Sequence, residues 1–307
     1  MTLARLMQQY VDTHNLNDLE GVRKTDLDGV WFYRSSTGNT RQPFIYQSGV
    51  IVLGQGNKII HIGSEPVKYG PNDYLVVGVP MPLECEAFPT NGEPLLGLTV
   101  DIDPQMLHRH VNKLESLGYA PHKEQPHYTC GLRSVSMEDS MLDTCKRIMR
   151  ALCNPIELSL LGESLKEELA YRALTSSEGH VLFDLAHHEG QYARVAKALD
   201  KVHRSYSETL SVQHLAEEAN MSMSAFHSAF RQITLESPIQ YIKKVRLNKA
   251  KELIQLEGKK VNDAARLVGY NSVSQFSREY KRHFNETPTG LKPVSYTHLR
   301  AHETGSY

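Results

Sequence analysis

Ser274, Ser277, Arg278 and Lys281 recur at helical spacing in one short stretch, so that two hydroxyls, a guanidinium and an ammonium share a surface. Hydroxyls donate and accept toward any base edge, a guanidinium forks onto two acceptors of a guanine, and an ammonium neutralises phosphate. Val273 adds an apolar contact that suits a thymine methyl. Fifty residues earlier Ser224, His227, Ser228 and Arg231 occupy a comparable stretch with shorter or neutral groups. These residues could read and grip a nucleic-acid groove if helices hold them in register.

The required helices are written as a repeat. Ser222, Phe226, Phe230, Arg231 and Pro238 return as Ser272, Phe276, Tyr280, Lys281 and Pro288. In each copy the aromatic pair is four residues apart and takes the inner face, with Ile233 joining it in the first. A short helix precedes each, carrying Leu215-Ala216 or Ala264-Ala265, whose small side chains permit close crossing. Asn220 and Gly269 stand at the turns, where a left-handed backbone is needed, and Ser222 and Ser272 are placed as N-caps. The pattern is two helix-turn-helix units.

Between them Pro238 to Leu256 reads as one helix, with Pro in its first turn and Gly258 beyond its end. Its Ile239, Ile242, Leu247, Ala250, Leu253 and Ile254 are expected to pack against both units, fixing their separation. Base contacts are expected from Ser224, His227, Ser228, Val273, Ser274, Ser277 and Arg278. Phosphate contacts are expected from Ser222, Arg231, Lys243, Lys244, Arg246, Ser272 and Lys281. Lys249 and Lys251 read as solvated or phosphate-contacting.

Charge is divided to match. Residues 1–200 hold 18 Lys/Arg against 25 Asp/Glu, whereas residues 201–293 hold 15 against 9. Only the basic segment is suited to a polyanion. No run approaches the roughly 18 apolar residues of a membrane span, and the start lacks a signal-peptide plan, so a cytoplasmic address and no membrane partner are expected. Cys85, Cys130, Cys145 and Cys153 form no C-x-x-C pair and read as reduced structural thiols.

The stretches Ala216 to Ser222, Ser237 to Tyr241, Arg246 to Ala250 and Gly269 to Lys281 resemble the AraC/XylS family of transcription regulators over about residues 190–292. The sheet-rich front half is similar, more loosely, to the cupin-type N-terminal domain of one branch. The resemblance implies a regulator that binds double-stranded promoter DNA through its back domain and often activates transcription. RNA polymerase is the implied partner. The front domain is implied to bind a small-molecule effector or to form a homodimer. Control by a protein partner or by abundance alone stays open. Asn220 and Asn285 replace the family's usual glycines, and the short readers Ser224, His227 and Ser228 imply a weaker contribution from the first unit.

The expected fold is α+β in two domains: an N-terminal antiparallel β-barrel, cupin-like, with following helices over 1–185, and an all-α domain of two helix-turn-helix units joined by a long helix over 186–293. Strands are read at Val30 to Tyr33, Gly49 to Leu53, Lys58 to Ile62 and Tyr74 to Val77. Gly54 to Asn57 reads as a hairpin loop and Gly70 to Asp73 as a turn. Helices are expected near 104–117, 137–153, 157–175 and 189–205, with a loop over 123–136. Trp31, Tyr33, Phe44, Tyr46 and Tyr74 are candidates for an effector pocket, though strand aromatics are more often core. His61, Glu65, Glu84, Glu86 and His108 raise the rival of a metal enzyme, but the H-x-H spacing of metal-binding cupins is absent, so no catalytic residue, metal or cofactor is expected. Residues 294–307 lack any apolar period and read as a non-native or disordered tail.

Overall fold

The computed structural model describes residues 1–62, 65–119, 131–186, 190–255 and 257–289. The expected tail, Cys130, Leu256 and most of the expected 123–136 loop lie outside these residues, as does the side chain of Glu65.

The chain begins with α1 (Leu3–Thr13) and continues through nine strands: β1 (Gly21–Lys24), β2 (Val30–Ser35), β3 (Asn39–Tyr46), β4 (Gly49–Gln55), β5 (Asn57–Ile62), β6 (Glu65–Tyr69), β7 (Asp73–Val77), β8 (Met81–Phe88) and β9 (Leu95–Asp101). Then come α2 (Pro104–Ser116), β10 (Leu132–Ser136), α3 (Asp139–Leu152), α4 (Pro155–Leu174) and α5 (His180–Ala186). Asp103 and Asn154 accept from the first-turn amides of α2 and α4, each ahead of a proline whose missing N–H costs nothing there.

Two antiparallel sheets face each other, ordered β1-β2-β9-β4-β7-β10 and β3-β8-β5-β6. They form an open, cupin-like barrel. Alternation sorts the larger sheet cleanly. Phe32, Val50, Val52, Tyr74, Val76, Leu96 and Leu98 face α1 to α5, while Ile51, Leu53, Leu75 and Val77 face the smaller sheet. Three expectations are corrected here. Gly54 to Asn57 is no hairpin: β4 and β5 lie in different sheets, and Gly56, at φ 84°, turns the chain from one to the other. Residues 132–136, read as loop, pair with β7 as an edge strand. Tyr74 turns away from the inter-sheet layer into the helical core.

The remaining helices are α6 (Gln191–Arg204), α7 (Val212–Glu218), α8 (Met223–Thr234), α9 (Pro238–Gln255), α10 (Val261–Leu267) and α11 (Val273–Phe284). The inter-sheet core does not stop at residue 185. It runs through Val79, Met81 and Val181 into Tyr192, Val195, Phe230, Ile233 and Tyr241, so α6 to α8 and the first half of α9 share it. Leu247, Leu253, Ala264, Ala265, Phe276 and Tyr280 form a separate core.

Candidate nucleic-acid interface

Each helix-turn-helix unit is built around its aromatic pair. Phe226 and Phe230 are fully buried with ring centroids 5.4 Å apart, and Phe276 and Tyr280 repeat this at 5.5 Å. Leu215, Ala216, Ala264 and Ala265 are buried at the helix crossings. Loss of one such ring would cost about 3–5 kcal/mol. Both turns use the left-handed backbone, Asn220 at φ 49° and Gly269 at φ 86°. A side chain at Gly269 would meet the Ser207 carbonyl at 2.6 Å. Ser222 and Ser272 accept from the amides of Ala225 and Gln275, capping α8 and α11. Both helices end in the left-handed region, at Leu235 and Asn285.

The faces opposite the aromatic pairs are open. Ser224, His227, Ser228 and Arg231 are exposed on α8, as are Ser274, Arg278 and Lys281 on α11, with Val273 and Ser277 half-buried. Arg231, Arg278 and Lys281 engage in no ion pair among the described residues. Arg282, which the sequence reading passed over, is exposed beside Lys281.

Three expected phosphate contacts are instead engaged internally. Arg246 donates to the carbonyls of Tyr206 at 2.7 Å, Glu208 at 2.7 Å and Gly269 at 3.3 Å, binding the α6–α7 connection to the turn of the second unit. It is a brace. Lys243 donates to Glu279 of α11 at 3.0 Å, and Tyr270 donates to the other oxygen of that carboxylate at 2.8 Å. Burial would raise the Glu279 carboxyl, but hydrogen bonds from Tyr270, Lys243 and Gln275 outweigh it and hold it below its ordinary range. Lys244 pairs with Glu236. Lys249 and Lys251 pair with Glu252 and Glu286. The cations of α9 therefore hold protein to protein.

On α9, Ile239 is 53 % exposed rather than packed, while Tyr241 and Val245 are buried in its place. Tyr241 donates to the Pro80 carbonyl at 2.6 Å and lies 2.8 Å from His203 Nε2, which must then carry the proton on that nitrogen. Gly131 N–H donates to the Ile233 carbonyl at 3.0 Å. A side chain at Gly78 or Gly131 would strike the Tyr192 hydroxyl, at 2.7 and 2.5 Å. The first unit is thereby seated on the sheets.

Of the pocket candidates, Tyr33, Phe44 and Tyr46 share the inter-sheet layer, Trp31 donates its indole N–H to Asp101 at 3.0 Å, and Tyr74 lies on the other face. Among the described residues no three of His, Cys, Asp and Glu come together as a metal site. His61 meets Glu86 at 2.5 Å, Glu84 meets Arg41 at 2.5 Å, and His108 bonds the Ala186 carbonyl in the helical layer.

Two family models match the chain: the AraC-type transcriptional regulator N-terminus over residues 26–181 and a helix-turn-helix domain over 215–292. The HTH-type transcriptional regulator AlkR of Acinetobacter baylyi is 31% identical over 104 residues, 34% of each chain. The HTH-type transcriptional activator RhaS of Yersinia pestis is 27% identical over 104 residues, 34% of this chain and 38% of its own. The chain thus spans little more than a third of the length of these relatives. A crystal structure of an apo ToxT variant from Vibrio cholerae has the same fold, with a TM-score of 0.51 and 9% identity over 87% of this chain and 97% of that one.

Proposed function

The chain belongs to the family of AraC-type transcriptional regulators, and on that premise we propose that it is a sequence-specific DNA-binding regulator of transcription that responds to a small-molecule effector. One observation carries the reading: the exposed cations Arg231, Arg278, Lys281 and Arg282 lie on the two second helices, while those of the bridging helix are consumed internally. α9 is tied to the second unit by Arg246 at the Gly269 turn and by the Lys243–Glu279 pair with α11, contacts that suit a fixed spacing of two readers of successive major grooves. Base contacts then fall to Ser224, His227, Ser228, Val273, Ser274, Ser277 and Arg278, and phosphate contacts to Ser222, Ser272, Arg231, Lys281 and Arg282. The second unit, with its arginine, is the stronger reader.

The functional boundary lies near residue 185, with Tyr33, Phe44 and Tyr46 of the front domain lining the effector site. Activation through RNA polymerase, a homodimeric form and a cytoplasmic address complete the reading. The relative RhaS is an activator by name, and no helix among the described residues is long and apolar enough to cross a membrane. Footprinting of the full chain on its own upstream region tests the function. Two protected major-groove segments about 10 bp apart are expected, and protection no better than on a scrambled duplex refutes it.

A further inference from the structure

Gln275 stands at the third position of α11, one turn ahead of Arg278 and two ahead of Arg282, and it is exposed on the flank that carries them. Its backbone N–H is taken by the Ser272 hydroxyl at 3.2 Å. A glutamine in this place commonly folds back to the amide of the N-cap residue. This one runs forward instead, and its Nε2 donates to Glu279 Oε1 at 3.3 Å. A carboxylate only accepts, so it fixes which end of the side-chain amide faces it.

Glu279 is itself held from two other sides. Lys243 of α9 donates to the same oxygen at 3.0 Å, and Tyr270, at the turn of the unit, donates to Oε2 at 2.8 Å. The Glu279 side chain is only 13% exposed. Burial and the adjoining carboxylate push the Tyr270 phenol upward, so it keeps its proton and stays a donor. Around the cleft of about 310 Å³ bordered by Leu235, between the smaller sheet and α8–α9, Arg41 with Glu84 and Lys244 with Glu236 match one cation to one carboxylate. Glu279 instead joins the bridging helix, the turn and a solvent-facing amide. The first unit lacks both groups, because fifty residues earlier Ala225 and Ala229 occupy the places of Gln275 and Glu279.

We propose that Gln275 reads an adenine in the half-site of the second unit, with Glu279 as its positioning residue. This rests on the reading of the chain as a DNA-binding regulator and names a base that its second unit selects. With one Nε2 hydrogen on Glu279, the other hydrogen and Oε1 lie side by side at the free edge of the amide. That donor and acceptor match N7 and N6–H of adenine in the major groove. Guanine offers two acceptors there, so Oε1 would face O6 with no hydrogen between them. Turning the amide over would exchange donor for acceptor, and it would set Oε1 against the Glu279 carboxylate, which has no proton to give.

Selection of bound duplexes from a random pool by the full chain, followed by competition with single-base variants of the selected site, tests it. An adenine is expected at one position of that site, preferred over guanine by about tenfold or more. Gln275→Ala is expected to abolish that preference and to leave the other positions unchanged. Glu279→Gln keeps the shape but no longer fixes the amide, and it is expected to cut the ratio of adenine to guanine binding severalfold at that position alone. A general loss of structure would weaken all duplexes together. Gln275 is exposed, so Gln275→Ala keeps the fold and carries the test should Glu279→Gln fail to fold. The proposal is overturned if no adenine preference depends on Gln275, if Gln275→Ala weakens all sequences alike as loss of a phosphate contact would, or if folded Glu279→Gln keeps the full ratio. A pool in which no sequence is enriched removes the regulator reading itself, whereas an enriched site insensitive to Gln275 removes only this assignment.

Discussion

Tyr241 donates its hydroxyl to the carbonyl of Pro80 across 161 residues of sequence, at 2.6 Å. A residue in the helix between the two helix-turn-helix units is thus fastened to the loop between β7 and β8. Replacing it by Phe removes two hydrogen bonds and leaves both the Pro80 carbonyl and His203 without that partner. Tyr241→Phe should lower stability by about 1–3 kcal/mol in urea melts, and an unchanged midpoint would show that the bond contributes nothing.

Arg246 and Lys281 separate two kinds of cation. Arg246→Ala leaves three carbonyls unsatisfied and should destabilise the chain by roughly 2–4 kcal/mol, without changing the salt dependence of DNA binding. Lys281→Ala should leave the melting curve alone and reduce the slope of log K against log salt by about 1. Salt titrations of binding with both variants decide the assignment, and the reverse pattern would restore Arg246 as the phosphate contact.

Arg278→Ala should cost about 1–3 kcal/mol in discrimination between operator and random duplex. His227→Ala should cost less. Equal losses in competitive binding would contradict the ranking of the two units.

His203 and His283 give a pH dependence with a fixed sign. Burial lowers both from 6.5 to about 4, and at His283 Lys244, Lys251 and Arg282 add to the effect while Glu84 opposes it. Above pH 6.5 folded and unfolded chains are both neutral at these sites, so stability is fully present. Between 6.5 and 4 the unfolded chain takes up protons that the folded one refuses, so stability falls by on the order of 2 kcal/mol for each residue. Urea midpoints measured from pH 7.5 to 4.5 should decline, and the decline should shrink in His203→Gln. A flat profile would show that these rings protonate freely when folded.

Leu235 holds φ at 58° while 42% exposed, and its counterpart one repeat later is Asn285 at 56°. A leucine in the left-handed region costs about 1 kcal/mol, so Leu235→Asn should raise stability by a similar amount in urea melts. A loss instead would mean that its packing at the edge of the cleft outweighs the strain.

The periodic parts of this molecule were legible from its sequence. Phe226 and Phe230, and Phe276 and Tyr280, announce their inner faces by spacing alone, and the caps Ser222 and Ser272 follow from chemistry local to one turn. Partnership across distance was not legible. Nothing in the type of Arg246 distinguishes a phosphate ligand from a brace whose acceptors lie 40, 38 and 23 residues away. The turn at Gly56 looks the same whether its strands pair or part, and Tyr74 and Tyr33 differ only in strand parity, which needs the sheet order to interpret.

The core shared by the sheets and the first unit limits how this chain can be recombined. A chimera joined at residue 186 would graft α6 to α9 onto a foreign front domain lacking Gly78, Pro80 and Gly131, stranding the Tyr241 hydroxyl and uncovering Tyr192 and Ile233. The second unit, with its own core, is the natural cassette for transplanting specificity, and the graft must bring Arg246 with it.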